Sequence, residues 1–344
     1  MKRILMFVFI SLVTILVGCS VFTKDKTPET TLDKVPPFEL EKEEPKPEKE
    51  VFHSPYTGEE IDNPEGAIPF LAIVENSKAA RPQSGLINAD IVFETMAEGG
   101  IPRFIALYYG QSADTIGPIR SARPYFVYIA EGFNLPLAHC GGSEKAISMI
   151  NEDGVKTLNE FYNGNYYWRD NTRKAPHNLY TSTEQLKALI DKKQYAAEAK
   201  SALSFDNAYF QNTALPSAAQ ISIDPSGSYE TYYEYKDGRY VKSMNDVVAT
   251  DRETGEEISV ANIIIQQTDM SLNENGVHID IRLFGEGQGY LISQGRYEKI
   301  TWRRDSSATD TVLYNEKGEV IPLSIGNSWW HIVDKNDKIL INGN

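Results

Sequence analysis

Residues 89–109 read ADIVFETMAEGGIPRFIALYY. Two apolar runs, Ala89–Met96 and Arg103–Tyr109, are rich in β-branched and aromatic residues, and Glu98-Gly99-Gly100-Ile101 between them is a turn signal. This pattern predicts an antiparallel hairpin. With Gly99-Gly100 at the tip, Met96 faces Arg103 and Glu94 faces Ile105. Glu94 and Arg103 then share a face of the hairpin, diagonally within salt-bridge reach. Upstream, Ile68–Val74 reads as a third, buried strand.

Helical signals follow downstream. In Gly117-Pro118-Ile119-Arg120-Ser121-Ala122-Arg123-Pro124, the last proline suits the first turn of a helix running to about Glu131. Leu135–Cys140 reads as a strand, broken by Gly141-Gly142. Ser143 can cap a helix over Glu144–Ile150. Thr181-Ser182-Thr183-Glu184 fits a capping box that opens a helix to about Ala199. Strands and helices are therefore interleaved up to about residue 205.

Residues 201–225 read as a join, and the pattern then changes. Short strands are predicted over 231–235, 239–244, 263–267, 277–284, 290–292 and 299–303, with Asp237-Gly238, Ser293-Gln294-Gly295 and Glu316-Lys317-Gly318 as turns. The fold class is α+β. An N-terminal α/β domain with a mixed sheet (56–205) precedes a mostly antiparallel β domain (216–344). Gly285, Gly287 and Gly289 form G-x-G-x-G, but no helix follows, so a nucleotide-binding reading fails. On a strand, Trp329-Trp330 turn to opposite faces, and one of them is a candidate contact with the first domain.

The chain begins MKRILMFVFISLVTILVGCS. Lys2 and Arg3 precede an apolar run, Ile4–Val17, which ends in Leu16-Val17-Gly18-Cys19. This is secretory-signal architecture with a lipobox. It resembles a bacterial lipoprotein precursor, in which Cys19 becomes the first residue and is diacylated on sulfur with chains such as palmitate. The competing reading is a transmembrane anchor, but spanning about 30 Å of hydrocarbon takes about 20 apolar residues. Residues 1–18 are thus read as a signal peptide. Residues 19–55 are read as the lipidated Cys19 and a tether rich in Pro, Glu and Lys, a composition that cannot offset its ordering entropy. Two acyl chains hold stably where one is marginal. The expected location is the extracytoplasmic face of the cell membrane.

Of the 344 residues, 41% are hydrophobic, enough for real cores, and the net charge is −14. That charge excludes a nucleic-acid partner, which needs many phosphate-neutralising cations. There are two cysteines. If Cys19 carries lipid, Cys140 has no partner within the chain, which suits a Gram-positive envelope protein.

Three polar stretches of the first domain could carry chemistry. They are 117–124, with Arg120 and Arg123; 139–143, with His139; and 168–180, with Arg169, Arg173 and His177. Each precedes a predicted helix, where free N–H groups and the positive dipole end favour anions. Ligands of α/β sheets also gather at strand carboxyl ends. The four arginines and two histidines point to phosphate, pyrophosphate or carboxylate, which arginine can grip bidentately. Alternatively, the arginines could close a buried ionic network with Glu75, Glu94, Glu98 and Asp170. His139 and Cys140, adjacent on a strand, face opposite ways and cannot form a dyad. Cys140 reads as core filler. No tight His/Asp/Glu spacing indicates a metal, and no cofactor is expected. Tyr166, Tyr167 and Trp168 could stack on a sugar, or could pack as core.

GPIRSARPYFV (117–127), HCGGSEKA (139–146) and WRDNTRKAPHNLYTS (168–182) on a tethered lipoprotein resemble the YerB-like family of bacterial lipoproteins, with two conserved domains of unknown function. The resemblance runs from about Val51 to the C-terminus. It implies Glu98, Arg103, Arg120, Arg123, His139, Arg169, Asp170, Arg173, His177 and Asn178 as the candidate ligand-binding residues. The stretch 242–246, Lys-Ser-Met-Asn-Asp, lacks the histidine of the family pattern there.

Two functions of different classes are compatible with this reading. One is a lipoprotein that binds an anionic cell-envelope ligand, a cell-wall protein partner, or both. The other is an enzyme acting on a phosphate-bearing envelope lipid or polymer. Its order of elements is loosely similar to that of the LytR-CpsA-Psr phosphotransferases, which clamp pyrophosphate with arginines. The binding reading is preferred, because no nucleophile–base pair is legible.

Overall fold

The structure, a computed structural model, describes residues 51–342 other than 63, 65, 66, 213, 226, 274 and 275. The expected signal peptide, Cys19 and most of the expected tether lie outside the described residues. Phe52-His53, counted with the tether, pair with Glu60-Ile61 and so belong to the fold.

In chain order the main elements begin with β1 (Phe70–Val74), β2 (Ile91–Met96), β3 (Pro102–Tyr108), α1 (Pro124–Phe133), β4 (Leu137–His139), α2 (Glu144–Glu152), β5 (Thr157–Asn159) and α3 (Thr183–Lys193). Then come β6 (Gln220–Asp224), β7 (Thr231–Lys236), β8 (Arg239–Met244), β9 (Val247–Val248), β10 (Ser259–Val260) and β11 (Asn262–Thr268). The last are β12 (Gly285–Ser293), β13 (Arg296–Arg304), β14 (Val312–Tyr314), β15 (Ser328–Asp334) and β16 (Lys338–Asn342). No helix occurs among the described residues after Gln211. The mixed α+β class expected from the sequence is the class observed.

One ten-stranded sheet runs β14-β13-β12-β11-β15-β2-β3-β1-β4-β5. Strands from both sides of the 201–225 join thus hydrogen-bond in a single sheet, with β15 parallel to β2. A second, antiparallel sheet runs β9-β8-β7-β6-β16, and β10 pairs with β8. Three layers result. One face of the large sheet, with Phe104, Val92 and Trp329, packs on Ile221, Tyr233 and Tyr240 of the small sheet and on Leu186 and Ile190 of α3. The other face, with Ile105, Phe93 and Trp330, packs on Phe126 and Ile129 of α1 and Ile150 of α2.

The caps explain the helix starts. Pro124 sits at the first turn of α1, and the Ser143 and Ser182 hydroxyls accept from Ala146 N and Gln185 N. α3 stops at Lys193, short of the expected Ala199, with Gln194 in the left-handed region at φ 53°. Tyr195 packs on one core while Ala197 and Ala199 pack on the other, so a continuing helix could not place all three. The expected strand 277–284 shrinks to Ile279–Ile281, which pairs with Met270–Leu272 outside both main sheets.

The hairpin register differs by one residue from the sequence expectation. Thr95 faces Arg103, and Glu94 faces Phe104. The turn closes at Ala97 N to Ile101 O, 3.0 Å, leaving a three-residue loop, Glu98–Gly100, one residue longer than the Gly99-Gly100 tip assumed. A one-residue slip sends side chains to the opposite face. Glu94 therefore points away from Arg103, and the expected ion pair between them does not form.

The glycines of 285–289 serve the sheet. A Cβ at Gly287 would meet the Trp302 indole at 2.7 Å, and one at Gly289 would meet Ile265 O at 2.1 Å. Both Trp329 and Trp330 are buried, one on each face, against Phe104 and Phe93 from the first half of the chain.

Candidate functional site

β1, β2, β4 and β5 run in one direction and β3 runs against them. Their C-terminal ends, with the start of β3, share one edge of the sheet, the position where α/β sheets gather ligands. The 117–122 loop enters here between β1 and β4, which pair only at Leu71–Leu137 and Ala72–Ala138. Beyond that point Arg120 N donates to Ile73 O at 2.9 Å and Cys140 N donates to Arg120 O at 3.0 Å. The inserted backbone takes up the strand ends and holds Arg120 at the middle of the edge.

The candidate residues gather along this edge in three groups. At the β2–β3 turn, Glu98 takes ion pairs from Arg123 and from Arg103 (3.6 Å) and a hydrogen bond from His278 Nδ1 (2.8 Å). Burial would raise the Glu98 carboxyl, but the hydrogen bond and charge of Arg123 and the bond from His278 hold it at about 2. Burial, reinforced by the neighbouring Arg123 charge, lowers Arg103 to about 10. This group is a closed network, as the alternative reading of the arginines anticipates.

The middle group is more open. Buried Glu75 receives His177 Nδ1 at 2.9 Å, Ser77 Oγ at 2.8 Å and Arg120 Nε at 3.5 Å. The Arg120 Nε is itself buried and makes no hydrogen bond among the described residues. Arg169 donates to Asn178 Oδ1 at 3.1 Å and pairs loosely with Glu160 at 3.7 Å, leaving 48% of its side chain exposed.

In the third group the 170–178 loop folds over the edge. Asp170 accepts from Thr172 N and Oγ1 and pairs with Arg252 at 2.6 Å. The Thr172 bonds, with the bond and charge of Arg252, hold its carboxyl at about 2. Arg173 donates to Ala80 O (2.6 Å) and Pro82 O (2.7 Å), and has no carboxylate within 4 Å among the described residues.

His139 does not join the open groups. It is fully buried; Nδ1 donates to Gly141 O at 2.8 Å and Nε2 accepts from Thr157 Oγ1 at 2.7 Å. Burial lowers it to about 4, so the ring is neutral and both nitrogens are committed. Cys140 donates its thiol to Glu160 at 3.3 Å. Burial and that acidic partner push the thiol up to about 11, which makes it a poor nucleophile at neutral pH. Tyr167 is buried and Tyr166 packs on the core, while Trp168 stacks on Tyr180 with 39% of its surface exposed. No group of three His, Cys, Asp or Glu side chains is placed to hold a metal among the described residues.

Among the described residues, Arg103, Arg120, Arg123, Arg169, Arg173 and Arg252 find four carboxylates within 4 Å, namely Glu75, Glu98, Glu160 and Asp170. Arginines therefore outnumber carboxylates along this edge. The sequence reading missed Glu160, Arg252 and His278. Glu160 had a local signal, since Asn159 ends a strand and caps a one-turn helix, Glu160–Asn163. Arg252 and His278 come from the second half of the chain and had none.

A two-module organisation, an α/β segment followed by β strands that complete its sheet, defines the class. Residues 56–196 match the family model "Protein of unknown function (DUF3048) N-terminal domain", and residues 217–330 match its C-terminal domain. The chain belongs to this family. It is 32% identical over 279 residues to the Bacillus subtilis (strain 168) protein named "Putative lipoprotein YerB", covering 78% of this chain and 82% of that one. The crystal structure of YerB from B. subtilis superposes with a TM-score of 0.76 at 30% identity, covering 84% of this chain and 99% of the other. The relative's name suggests membrane association, and no described helix is long and apolar enough to cross a membrane.

Proposed function

We propose that this protein is a lipid-anchored lipoprotein of the extracytoplasmic face whose sheet edge binds an anionic cell-envelope ligand. In this reading residues 1–18 are removed, Cys19 carries the lipid, and 19–51 tether the folded portion, which begins at Phe52. The observation that carries the proposal is the excess of arginines over carboxylates along one sheet edge of a chain whose net charge is −14. Anions are repelled by the molecule as a whole and drawn to this edge.

Arg120, Arg169, Arg173, His177 and Asn178 make the contacts. Glu98, Arg103 and Arg123 fix the turn beside them, Asp170 fixes the loop through Thr172 and Arg252, and His139 ties β4 to β5. A charge-assisted hydrogen bond contributes about 1.5–3 kcal/mol, so Arg120→Ala weakens binding about tenfold or more.

The test is co-sedimentation of the detergent-solubilised full chain with cell-wall sacculi, before and after acid removal of their phosphate polymers. The proposal expects binding to fall with the polymers and with Arg120→Ala. Equal binding to stripped and intact walls would refute it.

A further inference from the structure

A second concavity lies between the 78–83 loop and the β8–β9 hairpin. It encloses about 410 Å³, within the range of small-molecule sites, which are mostly apolar with a few placed polar groups. Pro82, Met244, Val247 and Val248 supply apolar lining, and Lys78 and Arg81 supply charge. Val247 and Val248 are 69% and 41% exposed.

The two walls are built rather than accidental. Asn245 and Asp246 form a two-residue turn with φ of 53° and 61°, which presents the valines just after it. Arg81 Nη1 donates to Asn245 Oδ1 at 3.0 Å and Nε donates to Asn76 Oδ1 at 3.1 Å, so turn and loop are locked together. Arg173 pins the loop through Ala80 O and Pro82 O. Lys78 and Arg81 lie 6.0 and 5.3 Å from the Tyr229 ring centroid, and neither has a carboxylate within 4 Å among the described residues.

We propose that this cleft binds a single-chain amphiphilic phosphate, with the headgroup at Lys78 and Arg81 and the hydrocarbon on Val247, Val248, Met244 and Pro82. The chemistry requires both parts. Unpaired cations beside exposed aliphatic side chains fit a molecule that is anionic at one end and apolar at the other. The cleft's ligand contacts include neither Arg120 nor Arg169, and it shares with the sheet edge Arg173, which pins its loop.

The full chain in dodecyl maltoside is photolabelled with dodecyl phosphate carrying a diazirine in its chain, and the labelled peptides are mapped. The expected result is label concentrated in 78–83 and 244–250. Lys78→Glu and Val247→Asp each cut it at least fivefold, with the thermal unfolding of each variant unchanged. Arg120→Ala leaves the label unchanged, and excess inorganic phosphate does not displace it. Equal labelling by a neutral diazirine maltoside would overturn the proposal by showing a merely apolar surface. Full displacement by inorganic phosphate would overturn it by showing a free-phosphate site, as would label spread over other peptides or lost with Arg120→Ala.

Discussion

Lys242 Nζ lies 2.9 Å from Glu94 Oε2, and both side chains are buried at the seam between the two sheets. Trp329 Nε1 donates to the same oxygen at 2.7 Å, Tyr233 Oη lies 3.3 Å from the ammonium, and the Trp329 and Tyr233 rings lie 4.4 and 4.9 Å from it. Burial lowers Lys242, and the Glu94 charge opposes that, leaving it at about 8 and charged at neutral pH. Breaking a buried pair by removing one partner costs about 3–5 kcal/mol. Lys242→Met is therefore expected to lower unfolding free energy by about that much in urea. Adding Glu94→Gln should cost less than the sum of the two single changes, because the stranded charge is gone.

Histidine burial gives the stability an acid slope. His331 is held at about 3 and His139 at about 4, mainly by burial, against about 6.5 in an unfolded chain. Between those values the unfolded state binds more protons, so stability falls as pH drops from about 6.5. Each histidine contributes up to about 1.4 kcal/mol per pH unit. Asp90 and Asp337, raised to about 6 chiefly by burial, work in the opposite sense. The clean measurement is the difference between wild type and His331→Gln across pH 4–7. The variant should show the shallower acid loss; equal slopes would contradict the assignment.

Two glycines should respond very differently to the same change. At Gly289 an added Cβ meets the Ile265 carbonyl at 2.1 Å, so β11 and β12 must part. Gly289→Ala is expected to cost about 1–3 kcal/mol, the usual range for overpacking. Gly164 has φ −52° and nothing within 4 Å of an added Cβ. Gly164→Ala should stay within about 0.5 kcal/mol of wild type. Chemical denaturation of the pair checks both.

Most strands and helices of the first half were legible because Pro124, Ser143 and Ser182 mark helix starts and the apolar runs of 68–109 have strand length. The single shared sheet was not legible. β15 enters it beside β2 with Trp329-Trp330, and nothing local to that pair says which strand it will meet. The hairpin register failed for a related reason: turn length decides it, and Glu98-Gly99-Gly100 fits two loop lengths. At the site, Arg120, Arg169 and His177 were named from helix starts and do lie on one edge. His139 was named by the same rule, but its partner Thr157 arrives from the next strand and closes it. Lys242 carried no such signal: its inward position on the 239–244 strand is visible only in the burial of the folded chain.

The proposed anchor makes a separate prediction. Cys19→Ala should move the protein from the membrane fraction to the medium, or leave an unprocessed precursor. Fractionation and intact mass decide it, and normal processing with full membrane retention would count against lipidation.

The central claim is that the sheet edge takes an anion. Calorimetric titration of the full chain with pyrophosphate, in wild type and in Arg120→Ala and Arg169→Ala, tests it most directly. The account predicts one site per chain, weakened about tenfold or more by each substitution at unchanged folding stability, and weakened further by salt. Failure of wild type to bind, or binding that neither substitution alters, would contradict it.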